Sequence, residues 1–552
     1  MARTYNDKMF IDTFEHQYTW LNGFLRNVRR YGARQAVLDP VTGRRWTYTQ
    51  LNREANRLAH ALRADGVGKD DVVMTALMNS PEFAFTYIGP RKIGAILNPA
   101  NFNLAPGELA LLMDHNRPKV FLYSADFKET AEKAVQLAKF PPVRVVMADN
   151  LRGAALPEGH ISYEDYVVGQ PDHDPAMDFT PHIYDEVLRL CTSGTTSLPK
   201  SAALNDINEV LSAHDVIMHY PLNCNDVCMN MTPWFHRGGC HCGGPGPSFY
   251  VGASVVVCRC FAPRQCLQWV EEHGITFLMG APSSLELLAR TQEKHPVDLK
   301  GLKGLVTMGA PFEKAACMRY LEVLTPNIFN GYGTTETFWN SFLRPYDLPE
   351  HAGSVGGSCI DDEVRVVKVY DDRKAEPDEL VPTDNESVGE IIIWSPAKST
   401  YSYAHSPKEE EKKFYKGWMY TGDLGHWDEN LYITVSGRKD DMIVCSAENI
   451  YPTQIEEVLS GCDKIADSIV TAVPDKLRGE AVAAYVVARD PSLTEEEVAD
   501  FCKRSNLLSA YKLPRYYRIV DSLPLTATGK KMHYVLKQQA AQDLKNGLLK
   551  RC

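Results

Sequence analysis

Apolar segments of two periods alternate along the first 430 residues, and this alternation limits the fold more than any other feature. Leu51 to Asp65 carries apolar residues at helical spacing, Val72 to Leu77 is a continuous strand-like run, and Pro81 to Ile88 reads as a second helix. The pattern returns at Lys119–Tyr123, ahead of a helix from about Asp126, and at Gly304–Met308, ahead of a helix from about Glu313. Strands that alternate with covering helices predict parallel sheets flanked by helices, an α/β fold. Glu363–Val369 and Gly389–Trp394 then add a strand-rich stretch, and the remainder to residue 552 holds helices and strands of its own. At 552 residues the chain exceeds one ordinary domain.

The stretch CTSGTTSLPK, from Cys191 to Lys200, bears on function. Ser193, Thr195, Thr196 and Ser197 offer hydroxyl donors, Gly194 lets the backbone approach an anion, and Lys200 supplies a point charge. A Walker A loop would need a glycine immediately before the lysine, where Pro199 stands. Proline removes an N–H donor there, so a phosphate would be gripped mainly through hydroxyls.

Four further segments are dispersed along the chain: NGYGTTET at Asn330–Thr337, YTGD at Tyr420–Asp423, SGRKDD at Ser436–Asp441 and TATGK at Thr526–Lys530. With the hydroxyl-rich loop, and in this order, they resemble the AMP-forming adenylating enzymes: acyl-CoA synthetases, adenylation domains and luciferase. The resemblance runs from about Trp46 to Lys530 and favours the acyl-CoA synthetase branch. It implies a large N-terminal domain over 1–437, made of parallel β/α subdomains and a β-rich subdomain. A hinge at 438–440, with Asp440 at the hinge position, and a small mobile α+β C-terminal domain over 441–552 would follow.

Residue by residue, the resemblance implies that Thr192, Ser193, Gly194, Thr195, Thr196 and Lys200 close over the β- and γ-phosphates of ATP. Thr335 would hydrogen-bond the α-phosphate, and Glu336 would ligate Mg2+, a hard cation that prefers oxygen. Tyr332 offers a face to adenine, Asn330 an amide to its edge, and Gly309, Ala310 and Pro311 a close-packed wall, with Gly331, Gly333 and Thr334 in the same nucleotide segment. Asp423 would accept the ribose hydroxyls, Arg438 would add a ribose or phosphate contact, and Lys530 would bridge the acyl carboxylate and the α-phosphate. Val444–Pro452, with Ser446, resembles the lining of a coenzyme A tunnel. Four positions depart from the usual glycines: Ser197, Ser201, Ser446 and Ala447.

For the acid, His236 matches a histidine that borders the substrate, and Trp234, Arg237 and Gly333 complete the expected set. Gly333 stands where acetate-specific relatives carry tryptophan, which argues for a larger acid: medium-chain, cyclic or aromatic. Arg237 could pair with a distal carboxylate of the substrate or serve as a structural cation. Five glycines and two prolines between 238 and 247 oppose a regular helix, so this wall is expected to be reshaped or mobile.

A formal charge of -11 without a basic block argues against nucleic acid as a partner. No apolar run is long enough to span a bilayer and the N-terminus lacks the apolar core of a signal peptide, so a cytoplasmic enzyme is expected, with a homodimer left open. Seven cysteines fall between 224 and 266, but their C-x-C pairs are not the usual zinc spacing, and reduced, mostly buried thiols are expected. The reading is an ATP-dependent acid–CoA ligase. Its rivals are a ligase that passes the acyl group to a separate carrier protein and a nucleotide- or acyl-CoA-binding regulator.

Overall fold

The computed structural model describes residues 6–192, 200–309, 312, 314–370, 372–439, 443–446, 448–450, 452–524 and 533–552. Val72–Ala76 lies in the middle of a seven-stranded sheet. On one side follow Val120–Ser124, Arg144–Ala148 and Ile161–Ser162, and on the other Ile96–Pro99, Glu186–Thr192 and Lys200–Asn205. All neighbours are parallel except the last two, which form an antiparallel hairpin with Thr192 opposite Lys200. The two ends of the hydroxyl-rich stretch therefore face each other at a sheet edge. Val72–Ala76 and Val120–Ser124 are buried at every position, as strands covered on both faces must be.

A second sheet of nine strands has Val227–Asn230, Phe277–Gly280, Gly304–Met308 and Ile328–Thr334 as parallel neighbours in that order. Phe338–Leu343 returns antiparallel on Ile328–Thr334 and makes a hairpin whose tip is Thr335–Thr337. One apolar cluster joins the two sheets: Val73, Leu97 and Val120 of the first pack with Val37 and Val255 of the second around Trp20, Phe24 and Tyr48. Each such fully buried side chain contributes roughly 1.5–3 kcal/mol.

Helix Tyr48–Ala64 begins three residues before the apolar periodicity does, because Thr47 and Gln50 form a reciprocal capping box. The Gln50 N–H donates to Thr47 Oγ1 at 3.3 Å, and the Thr47 N–H donates to Gln50 Oε1 at 2.9 Å. Pro81–Ile88 is a helix, with Ser80 capping it and proline in its first turn. After Val120–Ser124 a short 3-10 turn, Ala125–Phe127, comes before helix Lys128–Leu137.

The third sheet is antiparallel and contains Glu363–Val367, Gly389–Trp394, Trp418–Trp427, Phe414–Tyr415 and Ile433–Arg438, with Asp423 opposite Arg438. Ile433–Arg438 is its last strand, and Ile443–Cys445 already belongs to a fourth sheet. That sheet has its own core, where Ile443, Ile455, Val470, Val482 and Val498 pack together.

The glycine-rich wall does not form one regular helix. Two short helices, Arg237–His241 and Pro245–Val251, are broken between them at Gly243, whose φ is +63°. Nearly every side chain of this stretch is buried. Of the seven cysteines, Cys228, Cys240, Cys242, Cys258 and Cys266 are buried, Cys224 is partly exposed and Cys260 is exposed, as is Cys552 far along the chain. Burial pushes the Cys240 and Cys242 thiols well up and the Cys228 thiol up to about 12. Among the described residues, no helix is long and apolar enough to cross a membrane.

Candidate active site

A cavity of about 1310 Å³ opens where the parallel strands of the second sheet end. Met308 and Gly309 reach it from Gly304–Met308, Ala281 and Pro282 from Phe277–Gly280, and Gly331 to Thr334 from Ile328–Thr334. Carboxyl ends of parallel strands are where open α/β sheets bind ligands. The volume exceeds that of most single-ligand sites, so the space suits more than one bound molecule.

The nucleotide-type residues gather on one side. Tyr332 lines the cavity, and its hydroxyl donates to Asp423 Oδ2 at 2.7 Å. The Asp423 N–H donates to Thr421 Oγ1 at 2.9 Å, and this hydroxyl in turn donates to the Ile391 carbonyl at 2.7 Å, so the third sheet fixes the carboxylate. Gly309 has φ +85°, a left-handed conformation that suits glycine. Asn330 is buried and donates to the Ser354 carbonyl at 3.4 Å. Thr335 and Glu336 also line the cavity. The Tyr403 hydroxyl donates to Glu336 Oε1, and among the described residues no cationic side chain forms an ion pair with Glu336. Lys200 Nζ pairs with Glu409 Oε2 at 2.6 Å. Burial alone would raise the Glu409 carboxyl, but hydrogen bonds and charge from Lys200 and Lys412 outweigh it and hold the group below its ordinary value.

The hairpin tip is tightly built. A Cβ placed on Gly333 would lie 1.6 Å from the Phe338 carbonyl oxygen, and Phe338 itself has φ +62°, a strained value for a bulky side chain. Arg237, read from the sequence as either a partner of a distal carboxylate or a structural cation, lines the cavity with its two terminal nitrogens committed to the protein. It donates to the Thr335 carbonyl at 2.7 Å, the Lys398 carbonyl at 2.7 Å and Ser212 Oγ at 3.3 Å. Burial lowers its pKa to about 10 although Glu209 and Glu336 favour the charged form. Lys398 is fully buried, with Nζ 2.6 Å from Asp362, 3.0 Å from Asp215 and 2.7 Å from the Trp339 carbonyl.

The acid-type residues separate. His236 lines the cavity, with Nε2 3.5 Å from Glu448 Oε1 of the fourth sheet. Trp234 does not reach the wall: it is fully buried in the core that joins the two sheets, edge-on to Phe83. An indole that size fills space between helices, and the family pattern around it gave no sign of its direction. Ser446 is exposed, with φ +54°, and lies away from the cavity wall; its N–H donates to the Arg478 carbonyl. The fourth sheet's segments nevertheless reach the cavity through Glu448, Tyr511 and Lys512. Asn101 donates to Glu448 at 3.3 Å and to the Tyr511 hydroxyl at 3.3 Å, Gln454 donates to Glu108 at 3.1 Å, and Lys512 pairs with Glu108.

Ser193, Gly194, Thr195, Thr196, Ser197, Ala310, Pro311, Asp440, Ala447 and Lys530 lie outside the described residues, as do the side chains of Thr192 and Arg438. Three residues with direct roles in this geometry escaped the sequence reading: Tyr403, Glu409 and Lys398; Glu448 falls within the Val444–Pro452 segment. A carboxylate or lysine without a motif around it gives no signal in a single sequence. The aromatic spacing of Tyr401 and Tyr403, ahead of the charged run Lys408–Lys413, was the nearest hint.

The sequence model described as AMP-binding enzyme matches residues 24–401, and that described as AMP-binding enzyme C-terminal domain matches 454–530. The chain is 31% identical over 512 residues to a fatty acid–[acyl-carrier-protein] ligase of Streptomyces coeruleorubidus, covering 90% of this chain and 92% of that one. It is 30% identical over 490 residues to an indoleacetate–CoA ligase of Aromatoleum aromaticum, covering 88% and 91%. Among solved structures, a double mutant of o-succinylbenzoate CoA synthetase from Bacillus subtilis, bound with its product analogue, superposes with a TM-score of 0.80 at 22% identity over 94% of this chain and 98% of that one. The same synthetase in complex with its acyl-adenylate intermediate gives 0.65 at 23% identity over 94% and 98%.

Proposed function

Because this chain belongs to the AMP-binding enzyme family, we propose that it activates a carboxylic acid with ATP and transfers the acyl group to the thiol of coenzyme A. A carboxylate resists nucleophiles through resonance and charge. Attack of its oxygen on the α-phosphate of ATP expels pyrophosphate and gives an acyl-adenylate, a mixed anhydride with a good leaving group. The thiolate of coenzyme A then attacks the acyl carbon, and AMP departs. The observation that carries the reading is the convergence of Tyr332, Asp423, Thr335, Glu336, Lys200 and His236 on one cavity from four separate segments.

In this reading Tyr332 and Gly309 flank adenine, and Asp423, preset by Thr421, accepts the ribose hydroxyls. Thr335 donates to the α-phosphate, and Lys200 with the hydroxyls of 193–196 neutralises the outer phosphates. Glu336 suits Mg2+, since its only hydrogen-bond partner among the described residues is the neutral Tyr403 hydroxyl. Bound there, Mg2+ would offset phosphate charge. Lys530 is the cation assigned to the acyl carboxylate and α-phosphate in the first step.

In this reading large and small domains meet at a hinge over 438–440, with Asp440 as the hinge residue. Contacts of Glu448 and Tyr511 at the cavity support an arrangement suited to the second step, in which coenzyme A enters past the fourth sheet. Gly238, Met308, Phe338 and Trp339 line the acid end and favour medium-chain, cyclic or aromatic acids. The carrier-protein ligase among the relatives supports a second reading, in which the thiol belongs to a separate carrier.

The test is AMP release from ATP and Mg2+ with a panel of short, medium, branched, aromatic and dicarboxylic acids, with and without coenzyme A. Release that needs both an acid and coenzyme A is the expected result. Pyrophosphate exchange with an acid but no coenzyme A-dependent turnover would favour the carrier-protein reading.

A further inference from the structure

Arg237 has chemistry that the proposed reaction leaves unused. It is 3% exposed, yet it lies between two functional regions: it follows His236 directly, and its guanidinium holds the backbone of Thr335. A buried arginine without a carboxylate partner is unusual, because desolvating the charge is costly unless donors are well matched. Here the two terminal nitrogens are matched to two carbonyls and a hydroxyl, while the buried Nε–H has no partner among the described residues. One terminal nitrogen takes Thr335, the other takes Lys398 and Ser212, and the guanidinium carbon sits 5.7 Å over the Phe338 ring.

The two residues it grips or covers bracket the hairpin tip. Between them lie Glu336 and Thr337, and the tip is strained, with Phe338 at φ +62° and its carbonyl pressed against Gly333. Strained backbone persists only where surrounding contacts fix it. The carbonyl of Thr335 is the middle of that turn, so a donor there sets which way the Thr335 and Glu336 side chains project.

We propose that Arg237 is a positioning residue: through the Thr335 carbonyl it holds the hairpin tip so that Thr335 and Glu336 face nucleotide and metal, and it ties that tip to the helix that follows His236. The inference rests on reading Thr335 and Glu336 as nucleotide contacts. It also replaces acid recognition as the role of this arginine, because both terminal nitrogens are taken by Thr335, Lys398 and Ser212, and only the buried Nε–H is left without a partner among the described residues.

The experiment is calorimetric titration of ATP with Mg2+ into the full chain, unaltered and as Arg237→Met, Arg237→Lys and Ser212→Ala, with thermal unfolding of each and steady-state KM for ATP and acid. Arg237→Met is expected to weaken ATP–Mg2+ binding about tenfold or more, the scale of a lost charge-assisted hydrogen bond. Arg237→Lys, whose ammonium reaches one carbonyl, should recover part of the loss, and Ser212→Ala should stay within about twofold. The KM for acid should move far less than the KM for ATP.

Unchanged ATP–Mg2+ affinity in Arg237→Met, or an altered preference among acids with ATP binding intact, would overturn the proposal. If Arg237→Met does not fold, Arg237→Lys decides: equal loss of affinity for ATP and acid would defeat it. The titration needs no turnover, so an unaltered chain that binds ATP–Mg2+ without coenzyme A-dependent AMP release would defeat the ligase reading alone.

Discussion

A methyl group at residue 333 has no room, because its carbon would sit 1.6 Å from the Phe338 carbonyl oxygen. The neighbour is backbone in an already strained turn, so relief requires the tip to move. Gly333→Ala should therefore lower acid-dependent pyrophosphate exchange at least about tenfold while costing about 1–3 kcal/mol in urea unfolding. A variant with unaltered exchange would show that the tip can shift freely. A second residue-scale test concerns Asp206, buried at the start of helix Asp206–His219, where it accepts the Trp20 N–H at 2.5 Å. Burial raises its carboxyl from 3.8 to about 6, with Arg91 opposing the shift. A raised native pKa means that the folded chain holds this proton more tightly than the unfolded one. The resulting stability is full below pH 3.8 and is lost as pH rises through about 6. Relative to Asp206→Asn, the unaltered chain should lose on the order of 3 kcal/mol across that window, read from urea midpoints at successive pH values.

At the scale of elements, the strap that carries Lys398 fastens the strand after the hairpin tip. Its ammonium is fully buried and answers both Asp215 and Asp362. Lys398→Met would leave two buried carboxylates without their cation, and a loss of about 3–5 kcal/mol is expected in urea unfolding. Adding Asp362→Asn to it should return part of that loss, which a mere packing defect would not. Elements were largely legible in the sequence where period and caps agree: Pro81–Ile88 and Gly304–Met308 lie where the pattern puts them, since each is a mostly apolar segment with a clear boundary. The start of helix Tyr48–Ala64 was legible only through Thr47 and Gln50, because the cap extends the helix past its apolar stripe. Trp234 and Arg237 were harder. A motif fixes position along the chain, whereas the direction of a side chain depends on partners such as Phe83, Thr335 and Lys398 that come from elsewhere. Glu409 and Tyr403 belong to the same class.

At the scale of the whole molecule, the contacts between the fourth sheet's part and the rest, among the described residues, include Lys512 and Gln454 on Glu108 and Asn101 on Glu448. Polar contacts of this kind can be exchanged, which suits the turn between steps that the proposed reaction asks of this part. Glu108→Gln keeps an acceptor for its own helix cap at Ala105 but removes the charge that Lys512 meets. It should slow coenzyme A-dependent AMP release about tenfold and leave acid-dependent pyrophosphate exchange within about twofold, a split that rapid-quench assays of the two steps resolve. Equal slowing of both would place Glu108 outside the rearrangement. The thiols bear on how such a turn is watched. Most are buried with their reactivity suppressed, while Cys260 on the large part and Cys552 on the small one stand exposed. With Cys191, Cys224 and Cys462 changed to serine to silence the partly exposed thiols, Cys260 and Cys552 remain as a pair of dye attachment points, and single-molecule energy transfer between them can follow each turnover as a change in distance.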